Sequence, residues 1–296
     1  MIKFAAFTDL HYDHVFDGNK RIDDFLSVVK NENLDFIISL GDLCYPTAQN
    51  NPIIEKLNTA NAPIYYVIGN HDSDIYSQDL VRSFWQLDNL NYSFIIEKTK
   101  FIVLNSCFMK QSGIEYPYFK KNYEKKSDIY PIIPRFEIEW LKKEMQDENL
   151  SYVIFSHHSL ANDFAKRGIA NREEIREILS TRNTVLCMNG HDHGEACKVL
   201  NGIPYITLNS MTYIWHGMKE MFAFSTDIHN KYPNLKDMIL YKDALYCIVE
   251  IDENAVNIKG VESEYMHIAP EDVGIADRKW NGVSIVPKVS DFRCTQ

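Results

Sequence analysis

Aspartate, asparagine and histidine recur where five short apolar runs of this chain stop: Asp9 and His11, Asp42, Asn70 with His71 and Asp72, His157 with His158, and His191 with His193. Taken singly, each has an ordinary reading. An Asp-x-His is a turn with a surface histidine, Gly-Asp is turn chemistry, and a His-His pair is one packed and one solvated ring. Recurrence at five run ends is another matter, because an α/β sheet brings such ends to one edge, where ligands bind. An ordinary turn at residues 69–72 would use Asn-Gly or Asp-Gly. Asn70, His71 and Asp72 together read instead as a ligand, a proton donor and its orienting partner. Imidazole and carboxylate without cysteine select Zn, Mn, Fe, Co or Ni over a thiolate-bound structural zinc, and seven candidate ligands are too many for one catalytic ion. Two ions ~3.5–4 Å apart need a bridging carboxylate and a bridging solvent, the latter acidified to hydroxide near neutral pH. Two divalent ions, two carboxylates and one hydroxide leave a formal local charge of about +1, which attracts phosphate.

The elements that must position these residues follow from periodicity. Residues 2–7, 36–40, 63–68, 152–155 and 184–188 are apolar runs of strand length. Gly69 lets the third turn sharply. Between them Ile22, Phe25, Leu26 and Val29 fall at helical spacing, Ile53, Ile54 and Leu57 mark a short helix, and further helices are expected over 77–87, 134–148 and 172–179. Pro134 suits a first helical position, with Phe136, Trp140, Leu141 and Met145 on the buried side. Hairpins are read at 92–96 with 101–104, at 196–200 with 203–208 through Asn201-Gly202, and at 245–251 with 256–261. Two stretches leave the pattern. Residues 106–133 carry Tyr116, Tyr118, Phe119, Tyr123 and Tyr130, and residues 209–244 carry Tyr213, Trp215, His216, Phe222 and Phe224; both are expected to be lids or substrate loops. His14 lies close to His11 in sequence but reads first as a solvated loop histidine, His216 reads equally as lining the pocket or as part of the core of its own loop, and His229 and His267 default to the surface. With no linker composition anywhere, residues 1–296 are read as one domain with a C-terminal extension from about 269.

Bulk composition excludes several classes. The chain is 45% hydrophobic and 24% charged, the profile of a globular protein with a sizeable core. Its formal charge of −10 and lack of a basic cluster beyond Lys120-Lys121 and Lys125-Lys126 argue against a nucleic-acid surface. No run approaches the ~20 apolar residues of a membrane span, and the N-terminal residues lead to the expectation that the chain is not exported. The six cysteines are scattered, so reduced thiols and a cytoplasmic location are expected.

The series Asp9-x-His11, Gly41-Asp42, Gly69-Asn70-His71-Asp72, Ser156-His157-His158 and Gly190-His191-x-His193 resembles the calcineurin-like metallophosphoesterases over about 190 residues. The resemblance implies an α/β fold, a four-layer αββα sandwich of two mixed β-sheets flanked by helices. It also implies a binuclear centre of two divalent or mixed-valence transition-metal ions, manganese, iron or zinc. Carried over by position, Asp9, His11 and His193 hold the first metal, and Asn70, His157 and His191 the second, with His157 favoured over His158. Asp42 bridges the two. His71 stands beside the bound phosphate as proton donor or charge stabiliser, and Asp72 orients its ring. Gly41-Asp42 continues Leu43-Cys44-Tyr45 without the aspartate-arginine extension of the Ser/Thr protein phosphatases, which argues against a phosphoprotein substrate. The match is closer to small bacterial phosphodiesterases. The expectation is hydrolysis of a small phosphodiester or nucleotide by attack of metal-bridging hydroxide on phosphorus. A phosphomonoesterase and a non-catalytic, metal-stabilised interaction module are the alternatives, and oligomeric state is left open.

Overall fold

Alternate side chains of each strand face opposite ways, so strands that are apolar throughout need cover on both sides. The computed structural model, which describes residues 1–119 and 128–295, provides that cover with two six-stranded sheets between two helical layers. In the first sheet Ile2–Phe7, Phe36–Ser39 and Ile64–Tyr66 run parallel, and Cys247–Ile251, Ala255–Lys259 and Phe292–Thr295 extend it antiparallel. In the second, Thr99–Val103, Ser151–Phe155, Thr184–Asn189 and Ile203–Thr207 are parallel neighbours, with Tyr92–Ile96 and Ala196–Leu200 antiparallel at the edges. Both sheets are therefore mixed.

The core between the sheets takes Phe4 and Ala6 from one strand, Phe36 and Ile38 from the next, and Phe101, Phe155 and Met188 from the facing sheet. Phe4 stacks on Phe36 at 4.6 Å and meets Phe155 edge-on at 5.8 Å, so aromatic contacts tie one sheet to the other. The intervening residues Ala5, Phe7 and Ile37 face outward onto Ile22, Phe25 and Leu57 of helices Gly18–Val29 and Asn51–Leu57. On the other flank Ile102 and Ile154 pack on Ile138, Leu141, Ile175 and Leu179 of helices Arg135–Glu144 and Arg172–Ser180. The order is helices, sheet, sheet, helices. No helix among the described residues is long and apolar enough to cross a membrane.

Several sequence expectations need correction. Phe136 is 59% exposed, and Ile138 takes the inward position with Leu141 and Met145. The stretch 106–133 is largely a small sheet of Phe108–Gln111, Ile114–Pro117 and Tyr130–Ile132; its residues 120–127, Tyr123 included, lie outside the described residues. The stretch 209–244 pairs Tyr213–Trp215 with Met238–Leu240 around helix Thr226–Lys231. Residues after 269 are less an appendage than expected, since Phe292–Thr295 completes an edge of the first sheet.

Helix Arg135–Glu144 carries a fully buried acid, Glu137, whose Oε1 accepts the Asn105 N–H at 2.9 Å. Burial pushes its carboxyl up from an ordinary 4.5 to about 8. Between those values the unfolded chain releases the proton and the folded chain keeps it, so stability falls as pH rises through the window. Glu137→Gln should therefore gain on the parent by ~5 °C or more in Tm between about pH 5 and about pH 8, read by thermal scans. A gap that does not change with pH would contradict a carboxyl buried in its neutral form.

Candidate metal centre

The site is assembled at the carboxyl ends of the central strands, where turns follow Phe36–Ser39 and Ile64–Tyr66. One carboxylate joins these two turns. Asp72 Oδ2 accepts N–H groups from Gly69 at 2.8 Å and Asp42 at 3.0 Å, and its Oδ1 accepts those of Leu43 at 2.8 Å and Cys44 at 3.1 Å. The turns touch so closely that a Cβ on Gly69 would lie 2.1 Å from Asp42 Oδ1. A second latch closes the opposite side. Asp9 Oδ2 accepts from Thr8 Oγ1 at 2.6 Å and from the His191 N–H at 3.0 Å, and a Cβ on Gly190 would lie 1.9 Å from Thr8 Oγ1. Beyond it Arg167 pairs with Asp192 at 3.0 Å and donates to the His191 carbonyl, while Asn162 Nδ2 donates to the other Asp192 oxygen at 2.7 Å.

These latches gather the candidate ligands into two buried clusters, Asp9, His11, Asp42 and His193 in one and Asp42, His157 and His191 in the other, with Asp42 common to both. Within each cluster the ligand atoms lie within 4.8 Å of one another. His193 Nε2 is 3.3 Å from Asp9 Oδ1, and Asp42 Oδ2 stands 3.1 Å from His157 Nε2 and 3.5 Å from His11 Nε2. Asp9, His11, Asp42, His191 and His193 all have positive φ, between 48° and 73°. Left-handed backbone is rare for side-chain-bearing residues and costs of order 1 kcal/mol or more each, a strain that surrounding structure must hold in place.

The donor set fits two cations. Asp9 Oδ1, Asp42 Oδ2, Asn70 Oδ1 and His157 Nε2 are buried atoms with no hydrogen-bond partner. His157 Nδ1 lies 2.8 Å from the Leu40 carbonyl and His193 Nδ1 2.9 Å from that of Tyr213. A carbonyl only accepts, so both Nδ1 atoms carry the proton and both Nε2 lone pairs face inward, the tautomer of a metal-binding imidazole. A lone pair 3.1 Å from a carboxylate oxygen requires a cation or proton between them. Burial opposes charge on His157, yet the Asp42 carboxylate outweighs it and pushes the ring up to about 9. Burial pulls His11 down to about 4, and burial followed by the charge of Arg167 pulls His191 well below the usual imidazole range. Both rings are then neutral donors at neutral pH. Burial raises Asp9 and Asp42, but the histidines around them hold both well down, so both are carboxylates.

His71 sits beside this centre, its ring 5.1 Å from that of His11 and its N–H bonded to Asp42 Oδ1 at 2.7 Å. Its side chain is 28% exposed. The expected partner of His71 was Asp72, and the structure corrects this: His71 Nδ1 bonds Asp74 Oδ2 at 2.7 Å. Residues 71–73 form a 3-10 turn, in which side chains three apart share a face, so Asp74 meets the ring and Asp72 turns back to the amides. Burial opposes a proton on His71, but Asp42 and the bond to Asp74 raise its pKa. His158 lies outside both clusters, its ring 4.1 Å from that of His191 and its Nδ1 3.1 Å from Ser106 Oγ. His14 reaches the margin of the site, where its Nε2 meets Tyr45 Oη at 3.1 Å and its ring is 6.0 Å from His11. His216 is buried and accepts the Met218 N–H, and His229 and His267 pack around Phe224. The cleft over the clusters is lined by His11, Asp13, His14, Asp42, Tyr45 and His71. Sequence reasoning missed Asp74, Asn162 and Arg167, and of these only Asp74 left a signal, its i+3 spacing from His71.

Residues 2–195 match the family described as Calcineurin-like phosphoesterase. Human tartrate-resistant acid phosphatase type 5 is 23% identical over 195 residues, 58% of this chain and 59% of its own length. The chain thus spans less than two thirds of that relative. A dimetal phosphatase from Danio rerio superposes with a TM-score of 0.64 at 15% identity, covering 90% of this chain and 99% of its own. GAP50, the anchor in the inner membrane complex of Plasmodium, superposes with a TM-score of 0.56 at 15% identity, covering 90% of this chain and 89% of its own. These two likenesses concern the fold alone.

Gly69→Ala alters no candidate ligand yet drives a Cβ into Asp42, so it is expected to lower bound metal from about two ions per chain to well below one. Mass spectrometric metal analysis of the folded variant reads this. Undiminished metal would mean that the two turns can separate without loss of the centre.

Proposed function

The chain belongs to the calcineurin-like phosphoesterase family, and we propose that it is a binuclear metal-dependent phosphohydrolase acting on a small phosphate monoester. The observation that carries the reading is Asp42, one buried carboxylate common to two clusters of inward-facing donors. Asp9, His11 and His193 would hold one divalent transition-metal ion, Asn70, His157 and His191 the other, and Asp42 both. Such ions, when bound, acidify a shared water and draw charge from phosphoryl oxygens. His71, raised in pKa and partly exposed beside the clusters, is suited to give a proton to the departing ester oxygen, with Asp74 holding its ring.

The sequence alone favoured a phosphodiester. The names of the relatives, an acid phosphatase and a dimetal phosphatase, support the monoester instead. A non-catalytic module is the second reading, and the fold likeness to an anchoring protein is its support. Against it stands His71, since a scaffold has no use for a carboxylate-paired histidine that holds no metal.

Protein loaded with manganese, iron or zinc should hydrolyse an aryl phosphate monoester faster than the matching bis-aryl diester. The reverse order would return the proposal to diesters, and no turnover on either would favour the module. Asp42→Ala or His193→Ala should abolish turnover. His71→Ala should lower kcat by about 100-fold or more while metal stays near two ions per chain; loss of metal in that variant would reassign His71 as a ligand.

A further inference from the structure

Asp74 holds the His71 ring, but one hydrogen bond does not fix a carboxylate, because the terminal torsion of aspartate is soft. The second oxygen needs an anchor. Tyr118 provides it, donating from Oη to Asp74 Oδ1 at 3.1 Å, while Asp74 Oδ2 faces His71 Nδ1 at 2.7 Å. Asp74 is fully buried and Tyr118 is 3% exposed, so water does not compete for either bond.

Tyr118 lies just beyond strand Ile114–Pro117, in the stretch expected from sequence to be a lid. Its own backbone is anchored. The Tyr118 N–H bonds the Cys107 carbonyl at 2.9 Å, and that carbonyl also accepts Gln78 Nε2 at 2.6 Å. Gln78 Oε1 accepts Asn105 Nδ2 at 2.9 Å, Asn105 Oδ1 accepts the Cys107 N–H at 3.0 Å, and Cys107 Sγ donates to the Ile68 carbonyl at 3.2 Å. The base of the small sheet is thus stitched to both sides of the turn that carries Asn70, His71 and Asp74.

We propose that Tyr118 is a positioning residue for His71, acting through the two oxygens of Asp74. The proposal rests on the reading of His71 as proton donor. In that step a water oxygen bonds to phosphorus, the bond from phosphorus to the ester oxygen breaks, and the proton passes from His71 to that departing oxygen, while Tyr118 keeps its own proton and only holds the carboxylate plane.

Tyr118→Phe removes the hydroxyl and keeps the ring. With the metal-loaded protein, kcat for phenyl phosphate should fall ~10-fold or more, because phenolate leaves poorly without a proton. For 2,4-dinitrophenyl phosphate, whose leaving group needs none, kcat should stay within about 3-fold, with KM and metal content unchanged. Equal loss on both esters, or loss of metal, would overturn the proposal. If the variant does not fold, 3,5-difluorotyrosine placed at position 118 keeps the shape and strengthens the donor. A changed ratio of the two rates then supports the proposal, and an unchanged ratio overturns it. A parent protein inactive on both esters would sink the phosphoesterase reading and this one with it, whereas an active parent with equal losses in Tyr118→Phe sinks this one alone.

Discussion

A single buried carboxylate, Asp72, takes four backbone N–H groups from two different strand ends, and the centre depends on that convergence. Burial and the negative charge of Asp42 push Asp72 up to about 8, while the amides of Gly69 and Leu43 pull the other way. Backbone hydrogen bonds contribute roughly 0.5–1.5 kcal/mol each, so four of them outweigh the left-handed backbone they help to hold at Asp42. Because two of the donors are the amides of Asp42 and Gly69, the position of the shared carboxylate is coupled to the turn that presents Asn70 and His71. The latch from Asp9 to the His191 amide does the same across the two sheets.

The ligand constellation was legible because its parts are local. An acid or histidine directly after an apolar run is visible in any reading, and parallel strands put such ends on one edge. The four layers followed from the resemblance together with runs that are apolar on both faces. Contacts that depend on turn geometry were not legible. His71 has Asp72 beside it in sequence, and only the 3-10 turn shows that Asp74 faces the ring. Tyr118 was visible as one aromatic among several, with nothing local to tie it to residue 74. Arg167 and Asn162 act on the 190–193 turn across more than twenty residues of chain, through bonds that no spacing announces. The final strand went unassigned because an edge strand such as Phe292–Thr295 is only half covered and its pattern carries little apolar signal.

Motif residues describe the metal centre and leave the substrate to its margin. Tyr45 and His14 line that margin and are bonded to each other, and Asn234 brings a contact to His14 from the second excursion. Asp13 in turn holds the Tyr45 N–H and the Asn50 side chain. The margin is thus built from residues that are not candidate ligands, which is why family membership and substrate choice are separate questions.

The five left-handed residues of the clusters bear on kinetics as well as on shape. These residues are each 6% exposed or less, and the shared carboxylate and the loop bearing His191 and His193 are each latched through the backbone. An ion held there would not be shed by swinging one side chain outward, and its departure would wait for the turns themselves to open. The residence time of a bound metal would then follow a local opening of the backbone.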